Sequence, residues 1–189
     1  MSSPLKTTLI FIEPLAMDRY IKIIDILNLL KGQGAFCIFM LLSLPFCQPI
    51  QIPGFSTPFG IIMAALAIRK IIGKRTWLPK KFSNLTISRK HFNQIIRWAF
   101  KLESFLEKVS RPRLKILTRH SLSKMFHLLI IAISSMLLAL PLPIPLTNFI
   151  FGWIILLTSV GHLMNDGLFI LLGDLLLVGL VTVLITVLA

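Results

Sequence analysis

The chain has 189 residues, 56% of them apolar and only 14% charged, with a mean hydropathy of +0.86. That balance leaves too little charge to cover a water-soluble domain of this length and points to lipid as the surrounding solvent. Basic residues outnumber acidic ones 20 to 7, but 16 of the 20 fall between positions 69 and 124, where Glu103 and Glu107 are the only acids. A basic block between apolar segments is what a cytoplasmic loop facing anionic lipid carries, so the net charge of +13 argues against a nucleic-acid partner.

Residues 1–31 open the chain. Ile21, Ile24, Leu27 and Leu30 recur at steps of three, with Arg19, Lys22, Asp25 and Lys31 elsewhere. This spacing predicts an amphipathic helix at the membrane surface, with packing against the basic region as the alternative. No cleavage site follows the start, so no signal peptide is expected. Cys37 and Cys47 lie in or beside the first apolar run and have no metal-ligand spacing.

Residues 32–72 and 125–164 look like one element used twice. In the first, an apolar run of ten residues ends at Pro45, followed by Pro49 and Pro53. In the second, an apolar run over residues 126–140 precedes Pro141, Pro143 and Pro145. An offset of 92 residues superimposes Pro49 on Pro141, Pro53 on Pro145, Phe59 on Phe151 and Gly60 on Gly152, and places Ser56 on Asn148. A gap-free match of this kind is the signature of a duplicated helix–break–helix unit. Each first limb is short of the roughly 20 residues that cross a hydrocarbon core of about 30 Å. It therefore crosses with a broken end, or enters and turns back.

The second limbs are expected to start at Ser56 or Thr57, with Pro58 in the first turn, and at Asn148 as the partner cap, and to run to about Ile68 and Gly161. Backbone freed by proline cannot face lipid. The breaks, marked by Pro49, Pro53, Gly60, Pro141, Pro143, Pro145 and Gly152, are therefore expected to be buried, most simply against each other across a pseudo-twofold axis. The basic connector begins and ends on one side, which favours parallel rather than inverted copies.

The connector, residues 73–124, offers Lys74, Arg75, Trp77, Arg97, Arg111 and Arg113 as contacts for lipid headgroups. Ser88 is placed to cap a helix reaching about Val109, either on the membrane surface or packed on the transmembrane core. Residues 165–189 contain the longest uninterrupted apolar run, from Leu168, expected to span and to leave Ala189 on the outer side. The fold class expected is an all-α integral membrane protein: two homologous Pro-broken helical hairpins, a C-terminal transmembrane helix, and amphipathic cytoplasmic or interfacial helices.

Chemistry-bearing residues are few. Asp174 lies six residues into the final apolar run, where a carboxylate needs a partner or water and is a functional candidate by default. Asp166 is placed to cap that last helix or to face Asp174. Two helix N-termini meeting at the breaks would present unpaired N–H groups to an anion, with Ser56, Thr57, Thr147 and Asn148 supplying polar side chains. His91, His120, His127 and His162 are dispersed along the chain. No nucleotide loop, zinc pattern or serine elbow is present, and no cofactor or metal is expected; enzymatic lipid chemistry has no residue-level support.

The combination of a Pro-rich break followed by glycine, Gly73 with Trp77-Leu78-Pro79, Arg111-Pro112-Arg113, the run from Leu140 through Pro141, Pro143 and Pro145 to Asn148, and Asp166-Gly167 followed by Gly173 resembles the ExoD family of bacterial exopolysaccharide synthesis proteins. The resemblance extends over residues 32–178. It implies a multi-pass protein of the bacterial inner membrane with a role in exopolysaccharide or envelope biogenesis, but brings no settled activity. The family's motif positions fall on Trp77, Pro79, Arg111, Arg113, Pro143, Pro145, Asn148, Asp166 and Gly167. The family often has a proline shortly after the asparagine, where this chain has Phe149-Ile150-Phe151-Gly152.

Two functions fit. One is transport or binding of an anionic solute or lipid-linked sugar precursor at the paired breaks. The other is a non-transporting scaffold for envelope-synthesis proteins, docked through the basic region. Anionic membrane lipids and a homo-oligomer are further expected partners.

Overall fold

The computed structural model describes residues 20–22, 34–48, 56–74, 86–88, 114, 117–118, 120–140 and 146–188. Its elements are β1 (Tyr20–Lys22), α1 (Gly34–Ser43) with a 3₁₀ turn (Leu44–Cys47), α2 (Ser56–Ile71), β2 (Thr86–Ser88), α3 (Ser121–Ala139), α4 (Thr147–Met164) and α5 (Gly167–Leu188). The described chain is thus helical apart from one short ladder.

That ladder corrects an expectation. Tyr20, Ile21 and Lys22 form a strand antiparallel to Thr86, Ile87 and Ser88, with Ile21 opposite Ile87. The three-residue periodicity read as helix is thus corrected at residues 20–22, where backbone pairing with a distant segment decides the conformation; the rest of that expected helix lies outside the described residues. Ser88 is accordingly a strand residue. The helix expected from it to Val109 lies outside the described residues.

Helix ends follow proline chemistry. Pro45 lacks an N–H and its ring clashes with the preceding turn, so α1 gives way after Ser43 to the 3₁₀ turn. Leu140, before Pro141, is extended (φ −78°, ψ 133°), as a residue preceding proline must be, and α3 stops at Ala139. At the start α3 reaches back to Ser121, five residues before the expected Phe126, through the turn Ser121-Leu122-Ser123-Lys124-Met125. Between α4 and α5 the chain reverses through Asn165 in the left-handed region (φ 54°), and Asp166 N donates to Gly161 O at 2.9 Å. Asparagine tolerates that conformation better than most residues.

The packing is reciprocal. On α2, Thr57 Oγ1 donates to Ala139 O at 3.0 Å, and a Cβ on Gly60 would stand 2.6 Å from Ser135 O and 2.7 Å from Ala139 N of α3. On α4, a Cβ on Gly152 would stand 2.8 Å from Phe46 Cβ at the end of α1. The second limb of each sequence unit therefore lies against the first limb of the other, and the glycines that match at the 92-residue offset make the two close approaches. Gly60 and Gly152 sit inside helices, not at breaks.

Ring contacts mark the other end of the bundle. Phe36 of α1 stacks on His162 of α4 with centroids 4.5 Å apart, and His127 of α3 meets His162 at 5.1 Å. Phe36, His127 and His162 thus share one end, while Phe46, Gly60, Ala139 and Gly152 share the other. The core between them is built of Phe39, Met63, Ile131, Leu138, Phe151, Ile154 and Ile155. Gly173 of α5 lies against Thr158 of α4, where a Cβ would stand 2.9 Å from the hydroxyl.

Apolar side chains face outward as well as inward, and the interior also holds hydroxyls. Ser134, Ser135, Thr158 and Ser159 are fully buried, while Leu122, Phe126, Leu129, Ile133 and Met136 form an exposed apolar stripe on α3. Ser135 Oγ donates to Ile131 O at 2.6 Å, returning its proton to its own helix. Among the described residues α3 and α4 are long and apolar enough to cross a membrane, with mean hydropathies of 1.8 and 1.4. The final segment, which was expected to span, counts among the shorter apolar helices over its described run Gly167–Val183.

Candidate functional site

The first polar cluster lies where α2 and α4 begin. Asn148 Nδ2 stands 3.5 Å from Ser56 Oγ, a long donor contact between the two residues that superimpose at the 92-residue offset. Ser56 and Thr147 are buried. The helix starts at Thr147, preceded by Leu146 in the left-handed region (φ 68°), and Asn148 caps nothing. Its side chain reaches Ser56 of α2 instead. Its Oδ1, an acceptor, is buried with no hydrogen-bond partner among the described residues, while the second N–H of Nδ2 and the N–H groups of the two helix N-termini are the groups that favour negative charge. Of the expected residues, Ser56, Thr147 and Asn148 come together here. Thr57 is committed to Ala139 O.

Asp166 and Asp174 sit elsewhere. Asp166, 1% exposed, accepts from Leu168 N at 3.0 Å and so caps α5. Asp166→Ala is expected to lower stability by about 1 kcal/mol, and Asp166→Asn to retain most of it because asparagine caps equally well; thermal unfolding in detergent checks this. Asp174 reaches across to α3. Its Oδ2 lies 3.4 Å from His127 Nε2 of α3, while its Oδ1 is buried without a partner among the described residues.

Sequence reasoning missed the histidines. His127 is 1% exposed and His162 3% exposed. Neither ring nitrogen of His162 has a hydrogen-bond partner among the described residues. The available signal was helical spacing: Thr158, Ser159 and His162 share one face of α4, as Ser123 and His127 do on α3. Polar residues aligned on one face of an apolar helix mark an interior surface.

No set of three or more His, Cys, Asp or Glu residues that could hold a metal occurs among the described residues. Lys74 is exposed beyond the end of α2. Arg75, Trp77, Arg97, Arg111 and Arg113 lie outside the described residues, as do Pro49, Pro53, Pro141, Pro143 and Pro145.

Comparison with known proteins places the chain. A family model described as "Exopolysaccharide synthesis, ExoD" matches residues 6–187. Protein ExoD of Rhizobium meliloti is 37% identical over 139 residues, which cover 73% of this chain and 58% of that protein. An uncharacterized protein of Synechocystis sp. is 30% identical over 149 residues, covering 78% of this chain and 69% of its own length. The chain therefore spans less than two thirds of the Rhizobium protein. No solved structure matches it. With a family match over nearly its whole length and two helices able to cross a membrane, the chain belongs to the ExoD family of exopolysaccharide synthesis.

Proposed function

We propose that this is a multi-pass protein of the bacterial inner membrane that serves exopolysaccharide or envelope biogenesis by binding, and moving, an anionic solute or lipid-linked sugar precursor. The observation that carries the reading is the Ser56–Asn148 contact set between two helix starts, where Nδ2 has a second N–H beyond the one that faces Ser56 and so a donor for an anion. Each unit is a hairpin with both ends on the side of the basic connector. The first-limb and second-limb exchange supports this, as does the gathering of Phe36, His127 and His162 at one end. The buried serines and threonines and the outward Leu129, Ile133 and Met136 fit a bundle surrounded by lipid. Lys74 and the basic connector then lie on the cytoplasmic face against anionic headgroups. The name of the Rhizobium relative supports the biological setting.

Binding of a polyprenyl phosphate to the full-length protein in nanodiscs tests the site. Asn148→Ala is expected to weaken binding about tenfold, the loss of one hydrogen bond to a charged group. Ser56→Ala should weaken it less. Unchanged binding in both variants removes this site and leaves the scaffold role, which a copurifying envelope-synthesis protein would then support.

A further inference from the structure

At the opposite end of the bundle, three titratable side chains from three helices meet, and their hydrogen bonds do not close without an added proton. Ser123 has one hydroxyl proton and gives it to Leu117 O at 2.7 Å. Its oxygen, 3.4 Å from His127 Nδ1, faces that nitrogen as an acceptor, which assigns a proton to Nδ1. In a neutral imidazole Nε2 is then bare. Yet Nε2 lies 3.4 Å from Asp174 Oδ2, and a carboxylate also only accepts. A proton must stand between them, giving either imidazolium with carboxylate or imidazole with carboxylic acid. Both forms are net neutral, which is what an apolar helix bundle demands of a pair 1% and 25% exposed.

We infer that His127, Asp174 and His162 form a proton-binding site inside the bundle, with one proton held between His127 Nε2 and Asp174 Oδ2 and His162 as the neighbouring base through which it exchanges. Neither His162 ring nitrogen has a hydrogen-bond partner among the described residues, so the one that lacks a proton in the neutral ring is free to accept, on a ring 5.1 Å from that of His127. It is held by its stack on Phe36. When the proton moves to His162, the bond to hydrogen at His127 Nε2 or Asp174 Oδ2 breaks, an N–H bond forms on His162, which becomes imidazolium, and the pair is left as neutral imidazole and carboxylate. Asp174, a quarter exposed, is the other route for exchange. Among the described residues, the other ionisable groups near this end are Lys124, one turn before His127 on α3, His120 just before α3, Arg69, Lys70 and Lys74 at the end of α2, Cys37 beside Phe36 on α1, and Asp166 at the start of α5. Because the pair ties α3 to α5, any motion that parts these helices depends on the proton. The site is independent of the solute reading at Ser56 and Asn148.

The test uses the full-length protein with ¹⁵N-labelled histidine in phosphatidylcholine nanodiscs, read by imidazole ¹⁵N spectra and by the infrared carbonyl band of protonated carboxyl groups. At neutral pH the wild type is expected to show His127 protonated on both nitrogens, or a carboxylic acid band that Asp174→Asn removes. In Asp174→Asn, His127 should be neutral with its proton on Nδ1. His162→Gln should keep the resting proton but slow its exchange into D₂O about 100-fold, the scale of losing a positioned acid–base group. A neutral His127 beside an ionised Asp174 in the wild type overturns the proposal, and exchange at the wild-type rate in His162→Gln overturns the part given to His162. The wild-type spectra decide the first point, so misfolding of a variant does not shelter it. Polyprenyl phosphate binding is read separately, and either site can fail alone.

Discussion

Gly60→Ala is expected to destabilise the protein by about 1–3 kcal/mol, the range for overpacking a tight contact, and to do so through a single methyl group. The new Cβ would meet Ser135 O at 2.6 Å, Ala139 N at 2.7 Å and Ala139 Cβ at 2.8 Å. Two of these atoms belong to the backbone of α3, so no rotamer change can relieve the clash. Gly152→Ala should cost a similar amount, because Phe46 Cβ, C and O stand 2.8, 2.9 and 3.0 Å from the added atom. Gly179→Ala is the control: nothing lies within 4 Å of its Cβ position, and alanine is the better helix former. Thermal unfolding midpoints in one detergent compare the three. Equal midpoints for Gly60→Ala and Gly179→Ala would mean that α2 and α3 do not approach at Gly60.

His127→Leu is expected to lower stability by about 3 kcal/mol, the lower end for removing one partner of a buried ion pair. The lower end applies because Asp174 is 25% exposed and can recruit some water. The double variant His127→Leu with Asp174→Leu should regain most of the loss, since neither group is then stranded. A double-mutant cycle on unfolding in detergent measures the coupling. Coupling near zero would show that the 3.4 Å contact holds nothing together.

Much of the helical scaffold could be read from residue order alone. Pro45 and Pro141 end the first limbs for steric reasons that no tertiary contact alters. The apolar runs locate α1 to α5, and the 92-residue offset pairs Ser56 with Asn148 before any contact is seen. Ends were less legible: α2 reaches Ile71 and α4 reaches Met164, past Ile68 and Gly161, because nothing local stops a helix there. The roles of Gly60 and Gly152 were misjudged. Glycine beside proline reads as a break, yet its use in both helices is to let a neighbouring chain approach.

Composition by itself pointed to lipid as the surrounding solvent, and the order of residues put prolines at matched places 92 positions apart. Those are consequences of transfer free energy and of backbone sterics, which act locally. Which limb lies on which, and which polar groups meet, was decided only by tertiary structure. Residues 47 positions apart, His127 and Asp174, and 35 apart, His127 and His162, become neighbours through helix packing. Such pairing depends on where helices cross, a quantity that periodicity along one segment does not contain.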